Sequence, residues 1–312
     1  MLAALAGGVG AARFLCGLVD VVAPADVTAI VNTGDDDEFH GLWVCPDLDS
    51  VTYALAGANN PETGWGLAGE TFAAMDALER YGTPTWFRLG DRDLATHLYR
   101  SARRRAGASL TEVTDEIATA WGVRTRLLPM SDEPVATRIT VQGPDGTADE
   151  VAMQEWFVRD RAEPPVLSVR FEGASRSRPA PGVTEAIRAA ETILICPSNP
   201  VISIGPILAV PGIRELLRSR RDRVVGVSPI IGGRPVKGPA DRLMGPLGIE
   251  VSCVGVAEAY RDLCATLVID TADADAVPRI EALGVHAVVA DTLMRDERIA
   301  AALARDTLAA VA

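Results

Sequence analysis

A chain of 312 residues, 48% of them hydrophobic, can bury a large core without disulfide or metal staples. Its net charge of -12 excludes a nucleic-acid backbone as principal partner, since phosphate neutralisation needs a basic surface. Aromatic residues are only 5% while Ala, Val, Leu and Gly abound, which suits helices packed on a buried parallel sheet.

The first eighteen residues, MLAALAGGVGAARFLCGL, read as a short apolar strand, a glycine turn and a helix start. No basic start or cleavage pattern marks a signal peptide, and no apolar run is long enough to span a membrane. VTAIVN, ending at Asn32, is a second β-branched strand that runs into the acidic stretch GDDDEFHGLWVCPDLD. Helices are predicted from Asp49, in GLAGETFAAMDALERYG with a stop at Gly82, in LATHLYRSARRRAG and in TEVTDEIATAWG. TRLLPM is a strand. Between Ser131 and Pro181, ATRITV, EVAMQEWFV and VLSVRFEG read as strands with no helices between them, an antiparallel insert. Strands and helices then alternate through TILICP, GIRELLRSRR, VVGVSP, IEVSCVG, VAEAYRDLC, TLVID, HAVVAD and a final alanine-rich helix. The pattern predicts an α/β core wound on a parallel sheet, residues 1–130 and 182–312, interrupted by a β-rich insert over 131–181.

Ligands in such sheets bind beyond the carboxyl ends of the strands, and the unusual sequences lie there. In AGGVGAARFL, Gly7, Gly8 and Gly10 would let a phosphate reach backbone N–H groups at a helix start, with a plain tight turn as the alternative. A third glycine and a ribose-binding carboxylate are missing, which disfavours NAD. In PDLDSVTYAL, Asp49 can cap the helix that follows, while Asp47 and Asp49 together form an Asp-x-Asp turn suited to magnesium and substrate phosphates. Asp35 to Glu38 read as solvated charge.

In RLGDRDLATH, Asp91 or Asp93 is expected to cap the helix that follows, and Arg88 at a strand end could bind a phosphate or a polar ring edge. The loops CPSNPVISIGPIL and VSPIIGGRPVKGPADRLM are proline-stiffened and carry Ser198, Asn199, Ser203 and Ser228 as donors and acceptors for a nucleotide. No lysine follows the glycine turn. Five scattered cysteines without a CxxC pair are expected to be reduced core thiols of a cytoplasmic protein, and three histidines are too few for a zinc site. These features together argue for magnesium-assisted phosphoryl-type transfer.

The motifs AGGVGAARFLCGL, VNTGDD, PDLDSVTYAL, LGDRDLATH, LLPMSDEPVATRI, CPSNPVISIGPIL, VSPIIGGRPVKGPADRLM, GIEVSCVGVAEAY and ADTLM resemble, in order, the 2-phospho-L-lactate transferase family (CofD, called FbiA in actinobacteria) across essentially the whole chain. The resemblance implies a Rossmann-like fold and transfer of a phospholactyl or phosphoenolpyruvyl group from a guanosine diphosphate-linked donor to the ribityl hydroxyl of the deazaflavin Fo. GMP would be released, in the biosynthesis of coenzyme F(420). It implies Asp47 and Asp49 as catalytic and magnesium-binding, and Asp49, Arg88 and Thr33 as contacts to Fo. Gly7, Gly8, Gly10, Ser198, Asn199, Ser203, Gly205, Ser228 and Ile230 fall on the guanine-nucleotide side, and a homodimer is expected. Val9 stands where many members carry Thr, and Arg88 where the archaeal branch often has Lys. The composition favours the actinobacterial branch and a phosphoenolpyruvyl donor. Trp43 and Trp65 are the candidate stacking partners for the deazaflavin. A nucleotide-sugar-binding regulatory relative of the same fold is the alternative; its DDGGSSG-like loop is absent here.

Overall fold

The computed structural model describes residues 1–143 and 145–311. Its strands begin with β1 (Leu2–Ala6), β2 (Val27–Val31), β3 (Asp37–Phe39), β4 (Leu42–Val44), β5 (Arg126–Pro129), β6 (Ala136–Gln142) and β7 (Ala148–Ala152). They continue with β8 (Val166–Glu172), β9 (Thr192–Ile195), β10 (Val224–Val227), β11 (Ile230–Ile231), β12 (Arg234–Pro235), β13 (Thr266–Asp270) and β14 (His286–Ala290). The helices of the first half are α1 (Gly8–Val19), α2 (Pro46–Leu55), α3 (Ala73–Leu78), α4 (Asp93–Arg105) and α5 (Leu110–Ala120). Those of the second are α6 (Val183–Ala189), α7 (Ile204–Ala209), α8 (Ile213–Arg218), α9 (Ala240–Met244), α10 (Cys253–Tyr260), α11 (Val277–Glu281) and α12 (Glu297–Ala309).

Seven strands form one parallel sheet in the order β14-β13-β10-β9-β1-β2-β5. Alternate side chains of β1 enter two cores: Ala3 and Leu5 join the one that includes residues of α6, α8 and α10, and Ala4 and Ala6 the one that includes residues of α1, α2 and α12. Burial on both faces is why the strands read as unbroken apolar runs. The chain winds outward from β1 through β2 to β5, then returns to place β9 on the other side of β1. That reversal lies between the carboxyl ends of β1 and β9, the crevice position at which wound sheets bind ligands.

The segment between β5 and β9 holds a three-stranded antiparallel sheet, β7-β6-β8. Two strand expectations are corrected. β7 stops at Ala152 and EWFVR forms one π-helical turn, because Trp156 turns into the core and donates from Nε1 to the Pro164 carbonyl at 3.0 Å. IEVSCVG is not a strand: Ser252 caps α10, its hydroxyl accepting from Gly255 N at 3.1 Å. The helix expected to end at Gly82 is confined to Ala73–Leu78 plus a 3-10 turn, with Gly82 left-handed at φ 72°. Within the acidic stretch, β3 and β4 form a hairpin around His40 and Gly41, both at positive φ. Phe39 of that hairpin stacks on Phe87 with ring centroids 3.8 Å apart. Cys45, Cys196, Cys253 and Cys264 are buried free thiols, and Cys16 is half-buried.

Candidate active site

β1 ends against Gly7, and α1 starts at Gly8, where φ is +70°. No side chain of this turn caps the helix. Asp47, in the first turn of α2, does so from a distance: its Oδ1 accepts from Gly8 N at 2.8 Å. Its Oδ2 accepts from Asn32 Nδ2, also at 2.8 Å. Asn32 follows β2 and its Nδ2 also reaches the Ile202 carbonyl at 3.3 Å, so one amide ties together the loops after β1, β2 and β9. The turn leaves no room for side chains. A Cβ on Gly7 would lie 2.7 Å from Ser203 Cβ and 2.9 Å from Asp47 Oδ2, and one on Gly10 would lie 2.2 Å from the Pro197 carbonyl.

Asp35 and Asp36 are not solvated, as their sequence context implied; both are buried. Asp35 Oδ2 accepts from Asn32 at 3.3 Å, but Asp35 Oδ1 and both oxygens of Asp36 have no partner. Burial, then the charges of Asp47 and Asp36, pushes the Asp35 carboxyl well above the usual range. Burial does the same to Asp36. Burial also pushes Asp47 up, to about 6, against the bonds from Asn32 and Gly8. A carboxyl with that value can accept a proton near neutral pH.

Asp49 is not the helix cap; Cys45 occupies that position and Pro46 opens α2. It faces Arg100 of α4 instead. Arg100 Nη1 donates to Asp49 Oδ2 at 3.1 Å, Nη2 donates to Oδ1, and both side chains are buried. Burial works against the Arg100 charge, but Asp49 more than offsets it and raises the guanidinium pKa. His97 joins the pair, with Nδ1 3.7 Å from Asp49 Oδ2 and Nε2 3.2 Å from Asp93 Oδ2. Tyr53 then donates to Asp93 Oδ1 at 2.5 Å. Asp93, His97 and Arg100 lie three and four residues apart, one face of a helix, and that spacing was the signal available in the sequence. Neither Asp91 nor Asp93 caps α4: Asp91 instead accepts from Ala73 N and Ala74 N at the start of α3, and Glu70 accepts from Arg92 N and Asp93 N at the start of α4.

Arg88 sits in the loop before α4, outside any strand. It pairs with Asp76 at 2.5 Å and lies over Phe72, 5.1 Å from the ring centroid. Thr33 Oγ1 is buried without a partner in a small cavity also lined by Asp36 and Trp43. In the loop after β9, Ser198 Oγ is buried and unpartnered, Asn199 Oδ1 accepts from Val201 N at 2.9 Å, and Ser203 opens α7 without a side-chain bond. Gly205 turns to the insert, where a Cβ would lie 2.9 Å from Phe171 Cζ. The Ser228 hydroxyl donates to the Ile230 carbonyl and accepts from Ile230 N, stiffening its own loop, and Ile230 is buried.

The glycine turn, Asp47, Asn32 and the loop after β9 therefore converge at the reversal point of the sheet, with Asp49 held behind them. Among the described residues, no three His, Cys, Asp or Glu side chains are placed to share one ion, so substrate oxygens would have to complete a cation's shell there. No helix is long and apolar enough to cross a membrane.

Two crystal structures of protein BH3568 from Bacillus halodurans, one described as a member of the upf0052 family, share this fold. Their TM-scores are 0.61 and 0.63 at 20% and 19% identity, covering 98% of each chain. Curated relatives are much nearer. A phosphoenolpyruvate transferase of Kitasatospora aureofaciens is 48% identical over 99% of this chain and 97% of its own, and that of Streptomyces coelicolor is 48% identical over 97% and 96%. The one from Mycolicibacterium smegmatis is 42% identical over 96% and 95%. The family model for 2-phospho-L-lactate transferase CofD matches residues 2–308, so the crevice lies in a transferase that belongs to the CofD family.

Proposed function

We propose that the protein transfers a phosphoenolpyruvyl group from a guanosine diphosphate-linked donor to the terminal ribityl hydroxyl of the deazaflavin Fo. The product is a precursor of coenzyme F(420). The observation that carries this reading is the Asp47 carboxylate, held between Gly8 N and Asn32 Nδ2 at the mouth of the glycine turn. It sets a proton acceptor beside the glycine turn, which is read as a backbone seat for phosphate. The identity of 48% to phosphoenolpyruvate transferases over nearly the whole chain supports that acid over 2-phospho-L-lactate.

In this reading the donor diphosphate lies on the N–H groups of the glycine turn, with the guanosine toward Ser198, Asn199, Ser203, Ser228 and Ile230. Fo approaches from the side of Thr33, Asp49 and Arg88. The hydroxyl oxygen attacks the phosphorus bearing the organic acid, the bond from that phosphorus to the bridging oxygen breaks, and GMP leaves with the electron pair. Asp47 takes the hydroxyl proton. Arg100 fixes Asp49 in orientation, since two parallel N–H donors define a carboxylate plane.

The residues present fit magnesium. The oxygens of Asp35 and Asp36 that lack partners lie near Asp47; burial disfavours their charged form, and a divalent ion would favour it. Asp47 and Asp49 would hold it with phosphate oxygens of the donor, and it would supply charge neutralisation at the diphosphate. The test is to offer Fo with guanylated phosphoenolpyruvate and guanylated phospholactate in one mixture and weigh the product. A product carrying the enolpyruvyl mass in excess is expected; lactyl product in excess would overturn the donor assignment.

A further inference from the structure

Lys237 is the only lysine in a chain whose Lys and Arg together number 30. It follows the ribbon β11–β12, which leaves the end of β10. Its ammonium donates to the carbonyl of Thr63, and it stands 3.3 Å from the place a Cβ on Gly64 would take. Val9 Cγ1, in the middle of the glycine turn, is 2.7 Å from that same place. A single glycine of the 57–67 loop therefore separates the lysine from the turn. Among the described residues no carboxylate pairs with Lys237. Partial burial, then the charge of Arg13 on α1, pulls its pKa below the ordinary lysine value.

Lys237 and Arg13, whose Nη1 donates to the Met294 carbonyl at 3.1 Å, are two cations close to one glycine turn, and their mutual repulsion is a cost in a protein carrying 42 Asp and Glu residues. A bound anion removes it. The residue type points the same way. An ammonium is a compact charge with three donors that rotate freely, whereas the arginine used elsewhere in the chain presents a planar fork. Phosphate-binding glycine loops of the GxxxxGK type carry their lysine directly after the glycines, and AGGVGAARF does not.

We propose that Lys237 supplies that missing cation from a distant loop, its ammonium exchanging the Thr63 carbonyl for an oxygen of the donor diphosphate, with Arg13 as the second positive group. The proposal rests on the reading of the glycine turn as a phosphate seat. It makes Lys237 a residue that touches substrate and spreads the charge of departing GMP.

The single lysine permits a direct test. An amine-selective reagent such as trinitrobenzenesulfonate labels only Lys237 and the amino terminus, and mass spectrometry separates the two. GDP or inorganic pyrophosphate at ten times its dissociation constant leaves about a tenth of the sites open, so labelling of Lys237 should slow about tenfold while the amino terminus is unaffected. In calorimetry, Lys237→Met should weaken GDP binding about tenfold or more and leave Fo binding unchanged, with Lys237→Arg recovering part of the loss. The proposal is overturned if GDP binds the parent without slowing Lys237 labelling, or if Lys237→Met weakens GDP and Fo alike, as a mere loop tether would. If neither GDP nor pyrophosphate binds the parent, the phosphate seat is wrong and Lys237 falls with it.

Discussion

Asp47 combines two demands that usually conflict, a buried position and a negative charge. The Gly8 N–H and the Asn32 amide meet the second, yet burial still lifts its pKa to about 6. As the base, Asp47 must be ionised, so the maximal rate should rise with pH through about 6 and level off above it. Asp47→Asn should remove most of the activity; a profile flat from pH 5 to 7 would take the base role away from Asp47. Stability moves the opposite way. The folded state holds this proton to a higher pH than the unfolded chain, whose value is 3.8, so stability falls as pH rises from about 4 to 6. The buried, raised carboxyls of Asp35 and Asp36 add in the same direction. The pairing of Asp49 with Arg100 leads to a separate expectation. Arg100→Leu strands a buried carboxylate and should cost about 3–5 kcal/mol in denaturant unfolding. The double variant Asp49→Asn/Arg100→Leu should recover part of it, and a loss near zero for the single change would mean the pair is not buried together. Asp47 and Asp49 stood out in PDLDS because an Asp-x-Asp pair can share a divalent cation with substrate phosphates. Arg100 did not: its spacing from Asp93 and His97 marks one helix face, but its partner Asp49 lies 51 residues away and on another helix.

At the scale of elements, legibility followed burial. Strands buried on both faces, such as VTAIV and TLVID, announce themselves as apolar runs, and helices with one apolar stripe do the same. MQEWFV failed because Trp156 seeks the core and its indole N–H a carbonyl, which a π-turn satisfies and an edge strand would not. IEVSCVG failed because the Ser252 cap outweighed β-branched propensity. The hairpin β3–β4 was read as a solvated loop because its apolar support, Phe39 on Phe87, comes from a distant segment. The same close packing sets a control away from the crevice. A Cβ on Gly17 of α1 would lie 2.3 Å from the Ala300 carbonyl carbon of α12. Gly17→Ala should therefore lower stability by about 1–3 kcal/mol, read as a fall in Tm, while activity per folded molecule is kept. Loss of specific activity at full folding would show that α12 shapes the crevice through α1.

At the scale of the molecule, the order of the strands explains why residues from positions 7, 32, 47 and 202 meet. Only at the reversal of a wound sheet do loops after β1, β2 and β9 share one space. The acidic stretch joins that space through Asn32, which donates to Asp35 and Asp47, and three of its buried carboxylate oxygens have no partner. In the proposed reaction this crevice moves an acid-bearing phosphoryl group from a guanylated donor to Fo. The measurement that tests it most directly is GMP release from guanylated phosphoenolpyruvate in magnesium buffer, followed with and without Fo. One GMP is expected for each Fo consumed, with no release without Fo and loss of the reaction in Asp47→Asn at equal folded concentration. Release of GMP at the same rate without Fo, or Fo consumption that Asp47→Asn leaves untouched, would contradict it.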